Sequence, residues 1–545
     1  MKKTVNAYFR RHKWLCAVWL IVTFGVSFVA PLKNFQLKWL IDASSRQEAL
    51  VYIAITFAIT LISFVLESIS RKIYTKMACN ALREVRASVM ESALKRTYAE
   101  YSTKSDATYI SLLTTDCRTL YDNYYMSIFE VIFWGGIMLV SLGMFVYLSP
   151  VLLIVTVIVS IPPVLLPRIM NKRLKAAQDS FSQGMAVYTQ RIKELLGGYE
   201  IIRGYLCQDR FIQKHRGYSE ECANQEHEFQ QNMNTTMMST SLMSNMIFAV
   251  MLLVGMFMVF NGDITLGTMT TATSLINFVI SPCNRITQAY AKIKSSQGVR
   301  SRIESAMDSG EEPVSGKQPV PAGFEGVTIA ELGFTYPNSE KQVLQDVSLS
   351  ISKGEKVALL GESGCGKSTL AKIMYQYYPE YSGRIQLGTR ELRQIDFREL
   401  YRTVGYMSQS TFLLNDTIRN NICLYQDFSE SELNEAINLA GLRELMNSLP
   451  LGVDTVLQEN GRNLSGGQRQ RIGIARLVIR HYDLIIADEI TANLDPDTTE
   501  QIMENILNLP SAMLLITHNV SGKYMKRFDS IHVVSNGKIC EYMGQ

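Results

Sequence analysis

Residues 356–378 read KVALLGESGCGKSTLAKIMYQYY. A short apolar run leads into a turn dense in glycine, and a helix-forming stretch follows. The order is strand, glycine loop, helix. Within it, residues 361–369 (GESGCGKST) fit the pattern GxxxxGK[ST]. Gly361, Gly364 and Gly366 let backbone N–H groups curl round phosphates without side-chain clash. Glu362, Ser363 and Cys365 complete the loop, and Thr369 closes the motif. Lys367 is placed to reach the β- and γ-phosphates of ATP, and the Ser368 hydroxyl to ligate Mg²⁺. The start of the following helix adds a favourable dipole for an anion.

A second element lies downstream at residues 484–489, LIIADE, an apolar strand ending in two acids. Asp488 suits the Mg²⁺ shell, and Glu489 can polarise an attacking water. Alone, a buried strand with acidic terminal residues is commonplace. After a phosphate loop it acquires a specific meaning.

Further motifs appear in order: FTYP at 334–337, YMSQ at 406–409, LSGGQ at 464–468, ANLD at 492–495 and ITHN at 516–519. With them the chain resembles the ATP-binding cassette (ABC) superfamily. That resemblance implies that Tyr336 stacks on adenine. It implies that Gln409 touches Mg²⁺ and water, that His518 contacts the γ-phosphate, and that Asp495 lies in a loop crossing a dimer interface. LSGGQ (Leu464, Ser465, Gly466, Gly467, Gln468) is the family signature, which completes the ATP site of the opposite subunit as a second backbone nest before a helix. The implied catalytic set is Glu489, His518, Lys367 and Gln409. The implied metal set is Ser368, Gln409 and Asp488. Departures from the family pattern are Ala492 and Asn493 before Leu494-Asp495, Gln458 ahead of the signature, and Ala107 in the first cytoplasmic loop; they bear on interface communication, not on nucleotide binding.

The first half of the chain reads differently. Over the 545 residues, 47% are hydrophobic and 19% charged, and the apolar residues concentrate before about residue 285 in long runs. Six candidate membrane helices fall at residues 14–30 (extending towards 40), 50–70, 126–148, 151–170, 239–260 and 266–286. Each is near the ~20 residues that cross ~30 Å of hydrocarbon. A signal peptide is not expected from the first, whose apolar core is too long and is followed by further spans. Loops after the first, third and fifth runs are short and nearly free of Lys and Arg. Those after the second and fourth are long and basic, with Arg71, Lys72, Lys76, Arg83 and Arg86 in one and Arg168, Lys172, Arg173 and Lys175 in the other. The positive-inside rule then places both termini and the long loops in the cytoplasm. Both long loops show helical spacing, and the spans are expected to run on as rods.

Two features of the spans keep two readings each. Glu67, Glu130 and Arg285 either mark a cavity or pair at headgroup level. The hydroxyls at 235–245, interleaved with methionine, suit either an adaptable cavity or helix packing.

Residues 308–323 (DSGEEPVSGKQPVPAG) read as a linker. The expected fold is therefore multidomain: an all-α six-helix transmembrane domain of ABC exporter type at 1–307, then an α/β P-loop NTPase cassette at 324–545. NGDITLGT at 261–268 resembles the outer turn before helix six of ABC exporters, and coupling helices are placed by analogy near 98–108 and 197–208. The net charge of +4 is too small to suggest nucleic acid, and nine scattered cysteines without a CxxC support neither a disulfide framework nor a zinc site. The resemblance implies an ATP-driven transporter in a bacterial inner membrane, working as a dimer. Full catalytic and signature motifs in one chain favour a homodimer, with a heterodimer possible. A peptide, a lipid or an amphipathic small molecule remains open as cargo. An importer on the same scaffold and an ATP-gated channel or regulator are the rival readings.

Overall fold

A computed structural model describes residues 4–102, 105–308, 318–321, 323–337, 339–491, 494–518 and 525–542, with the side chains of 163–172 outside that description. Ala492, Asn493 and most of the linker stretch fall outside it. The chain divides into two compact units, Met1–Leu94 with Asp106–Ser309, and Lys95–Ser105 with Gly310–Gln545.

The first unit is helical. Four of its described helices have the length and hydropathy to cross a membrane: Lys13–Ile41, Arg46–Leu94, Asp106–Leu148 and Gln208–Phe260. The fourth expected crossing lies in Pro150–Gly197, whose N-terminal part is apolar. The sixth is divided into Leu266–Leu275 and Asn277–Ser295, yet Ile276 between them keeps helical dihedrals of −58° and −33°. The expected rods are present, with the second span continuous over 49 residues and the fifth over 53. Buried Phe35, Phe145, Leu152, Met251 and Leu275 form an apolar core among the helices. Small residues bring helices close: a Cβ on Gly136 would lie 2.4 Å from Ser27 Oγ, and one on Gly255 2.5 Å from Met269 Cγ. Asp42 accepts hydrogen bonds from the Thr265 hydroxyl (2.8 Å) and the Gly267 N–H (3.2 Å), tying the short loop after the first span to the start of the last span.

Some of the polar residues in the spans have local partners among the described residues. Glu67 pairs at 2.9 Å with Arg71 one turn on, and Arg285 sits over the Trp134 ring. Thr235, Thr236, Ser239, Thr240 and Ser244 each donate to the carbonyl four residues back in their own helix. These hydroxyls are satisfied without a neighbouring helix.

The second unit is α/β. A four-stranded sheet, in order β2-β1-β4-β5, is formed by β1 (Gly326–Thr335), β2 (Gln342–Ser352), β4 (Ser382–Leu387) and β5 (Arg390–Glu391). A six-stranded sheet, in order β10-β9-β3-β8-β7-β6, holds β3 (Lys356–Gly361), β6 (Val404–Met407), β7 (Leu484–Asp488), β8 (Ala512–Ile516), β9 (Ser530–Ser535) and β10 (Lys538–Glu541). Its strands run parallel except for the β9–β10 hairpin. β7 and β8 are buried along their whole length, as parallel strands covered on both faces must be.

Two boundaries differ from the sequence reading. Gln318 already bridges to Ile395, so the end of the expected linker belongs to the cassette. The segment Lys95–Ser105, assigned by sequence to the membrane half, groups with the cassette: the Tyr98 ring stacks on Tyr377 at 4.0 Å and 9°. The first expected coupling helix is accordingly two short helices, Tyr98–Ser102 and Asp106–Ser111. The second is Tyr199–Gly204, which shows Tyr199 and Ile201 to solvent.

Candidate functional site

Parallel strands deliver their carboxyl ends to one edge of a sheet, where α/β proteins bind ligands. Here the adjacent strands β3, β8, β7 and β6 each contribute there. The loop after β3 carries the phosphate motif, and its glycines adopt left-handed φ values of 154° (Gly361), 80° (Gly364) and 113° (Gly366). A Cβ on Gly366 would also lie 2.8 Å from Leu344, so the loop is closed to larger residues. The helix Lys367–Met374 starts immediately after. Glu362, Ser363 and Cys365 form the rim. Lys367 is buried and donates from Nζ to the carbonyls of Gly361 (2.7 Å) and Glu362 (2.8 Å), with Cys365 Sγ 3.8 Å away. Its ammonium is thus held at the mouth of its own loop by neutral acceptors, ready to exchange them for phosphate oxygens.

Asp488 ends β7, almost wholly buried. Burial pushes its carboxyl above the ordinary value, and a hydrogen bond from Ser368 opposes that shift. Glu489 follows with φ of +53°. A non-glycine residue there costs on the order of 1–3 kcal/mol. The strain is sustained by two backbone bonds: Glu489 N–H donates to the Ile516 carbonyl of β8 (2.9 Å), and Gln470 Nε2 donates to the Glu489 carbonyl (3.0 Å). The carboxylate meets Gln409 Nε2 at 2.6 Å from the β6 side and His518 Nε2 at 2.5 Å from the β8 side. The other ring nitrogen of His518 lies 3.1 Å from the Gly361 carbonyl. Lys367, Ser368, Asp488, Glu489, Gln409 and His518 are therefore one cluster spanning four strand ends.

Ser368 is hydrogen-bonded to Asp488, and these two oxygen donors, with the side-chain amide oxygen of Gln409, would suit by chemistry a magnesium ion that completes its shell with phosphate and water. Among the described residues no cluster of three or more His, Cys, Asp or Glu could hold a metal by itself. Tyr336 lies beside the loop with its hydroxyl 2.8 Å from Thr369 Oγ1.

The signature is built separately. Ser465 caps the helix Gly466–Val478 in a reciprocal capping box with Gln468 (N–H to Oγ 3.2 Å, N–H to Oε1 2.9 Å). Leu464 is buried beneath it. The N–H groups of Gly466 and Gly467 open the helix, which is an anion nest in waiting. Among the described residues, no hydrogen bond ties Leu464, Ser465, Gly466 or Gly467 to the phosphate loop of the same chain. Asp495 likewise caps its own helix, Pro496–Leu507, through the Thr498 N–H. The substitutions Ala492 and Asn493 lie outside the described residues.

Gln470 escaped the sequence reading. Its signal was a polar residue on the buried face of an amphipathic helix, which becomes informative only once the Glu489 carbonyl is found opposite.

Comparison with known proteins agrees with this geometry. The ABC transporter family matches residues 344–492, and the ABC transporter transmembrane region matches residues 16–283. The chain is 28% identical to the ATP-dependent lipid A-core flippase of Pectobacterium atrosepticum over 451 residues, 81% of this chain and 76% of that protein. It is 29% identical to the flippase of the same name from Vibrio parahaemolyticus, over 68% of this chain and 64% of the relative. With the Escherichia coli K12 flippase it shares 33% over 282 residues, 51% of this chain and 48% of the relative. The fold superposes on a bacterial Atm1-family ABC exporter with ATP bound at a TM-score of 0.79 and 19% identity, covering 98% of this chain and 95% of that one. The membrane region, the cassette and their order along one polypeptide lead to one conclusion: this chain is an integral membrane protein of the ABC transporter family, an ATP-driven half-transporter of the exporter type.

Proposed function

We propose that two copies of this chain assemble into a bacterial inner-membrane exporter that moves an amphipathic lipid outward, using ATP bound at two shared sites. The observation that supports this is that each chain carries both a phosphate-binding edge and a signature, while among the described residues no hydrogen bond ties Ser465, Gly466 or Gly467 to the phosphate loop of the same chain. The family resemblance implies that Ser465, Gly466 and Gly467 meet a γ-phosphate presented by another copy. Because one sequence contains both halves, a homodimer forms two competent sites. The basic long loops support a cytoplasmic cassette.

In this mechanism Lys367 exchanges the Gly361 and Glu362 carbonyls for phosphate oxygens, and the loop N–H groups accept the rest of the charge. Ser368, Gln409 and Asp488 would hold Mg²⁺, which supplies charge neutralisation on the β- and γ-phosphates. Glu489 takes the proton of the attacking water. Gln409 and His518, already on its two oxygens, fix the carboxylate's orientation and then follow the γ-phosphate. Closure is favoured because ATP contacts both faces only in the closed pair, which is the differential affinity a population shift requires. Hydrolysis removes it.

A lipid cargo is supported by the relatives, which are lipid A-core flippases by name. An importer finds no support among them. The test is purified protein in sealed vesicles with a headgroup-labelled phospholipid and a membrane-impermeant quencher. ATP should drive lipid towards the leaflet opposite the cassette, and Glu489→Gln should not. ATPase activity without net lipid movement, stimulated instead by a peptide, would overturn the cargo assignment.

A further inference from the structure

A row of tyrosines in the cassette unit runs beyond what nucleotide binding requires. Tyr336 is fixed from three sides: its hydroxyl by Thr369, one flank by Phe334 (5.0 Å, 80°) and another by the Tyr378 ring (5.3 Å, 90°). Tyr378 also meets Tyr98 edge to face at 6.0 Å and 87°, and it interacts with Ser102. Tyr98 and Ser102 are four residues apart on the helix Tyr98–Ser102, so they share one face. Tyr98 itself stacks flat on Tyr377. All of these residues belong to the same compact unit, and the Tyr98 segment is covalently joined at either end to the helices of the membrane half.

We propose that Tyr378 is a positioning residue that makes the adenine base, and not only the phosphates, felt at the helix Tyr98–Ser102. The physical basis is that one ring contacts both partners edge-on. Edge-to-face pairs depend strongly on angle. A base stacked on Tyr336 fixes that ring, hence the angle at Tyr378, hence the seat of Tyr98. Conversely, a displaced Tyr98 loosens the platform on which the base stacks. Thermodynamic reciprocity makes the two effects equal. This inference rests on the reading that adenine stacks on Tyr336.

The test uses the full-length protein in lipid vesicles and compares KM for ATP with KM for ribose 5′-triphosphate, which has the phosphates but no base. Tyr378→Leu should raise KM for ATP about three- to tenfold, the range of one lost aromatic pair, and leave KM for ribose triphosphate unchanged. Tyr98→Leu, at the far side of Tyr378 from Tyr336, should raise KM for ATP in the same direction. The double variant should show less than the sum of the two effects. Tyr378→Phe, which keeps the ring, should restore most of the ATP affinity. If Tyr378→Leu does not fold, Tyr98→Leu and Tyr378→Phe carry the comparison, since Tyr98 is 37% exposed. An equal rise for both nucleotides, or additivity in the double variant, overturns the proposal. A Tyr336→Leu variant with unchanged KM for ATP would instead refute the adenine stack itself.

Discussion

At the residue scale, Glu489 is held by two side chains at its carboxylate oxygens and two bonds on its backbone. Glu489→Gln should keep ATP binding and lower turnover about 10²- to 10⁴-fold, the usual loss of a general base, as read by nucleotide retention beside phosphate release. Gln470→Leu removes the donor that holds the strained Glu489 carbonyl. We expect turnover to fall about tenfold, as small misplacements of catalytic groups do, with ATP affinity retained; an unchanged kcat would show that Ile516 suffices. Asp488 gives a pH signature. Burial raises its carboxyl above the ordinary value, so the native state holds the proton more tightly than the unfolded chain. Cassette stability should therefore fall as pH rises from the ordinary carboxylate value to the raised one. Thermal unfolding of nucleotide-free protein across that window should lose this slope in Asp488→Asn.

At the scale of elements, the capping box on Gly466–Val478 serves both the helix and its anion nest. Ser465→Ala should destabilise the cassette by about 1 kcal/mol and abolish turnover by far more than that loss explains, because the exposed N–H groups lose their geometry. In the membrane half, Asp42 links the short loop after the first span to the last span. Asp42→Ala should make residues 261–268 more accessible to a proteolytic or hydrogen-exchange probe while leaving ATP binding intact. The elements themselves were largely legible in the sequence. Long apolar runs with basic flanks can be little else than spans, and β3 with its loop and helix follows from glycine spacing. What sequence missed was an assignment of segments: Lys95–Ser105 and Gln318 reveal their allegiance only through contacts with residues far along the chain, Tyr377 and Ile395.

For the whole molecule, the division of one ATP site between two copies can be tested by mixing. Lys367→Ala and Ser465→Ala copies are each inactive alone, but a mixed dimer contains one intact site. With random pairing of a symmetric dimer, about half the dimers are mixed, so ATPase activity should return to about a quarter of the native level. No recovery would mean that signature and phosphate loop do not meet in trans.

The sequence by itself determined the division into a membrane half and an ATPase half, and the positions of the phosphate loop, the paired acids and the signature along the chain. Each of these is written in local spacing, charge or glycine content, where neighbouring residues suffice for the physics. Only the tertiary structure decided that Gln409, Glu489 and His518 share one carboxylate, that Gln470 props it, and that Tyr98 sits on the cassette's aromatic row. Those relations join residues separated by tens to hundreds of positions. They exist because parallel strands bring their ends to one edge and because rings from distant segments stack on one another, and no local pattern encodes either.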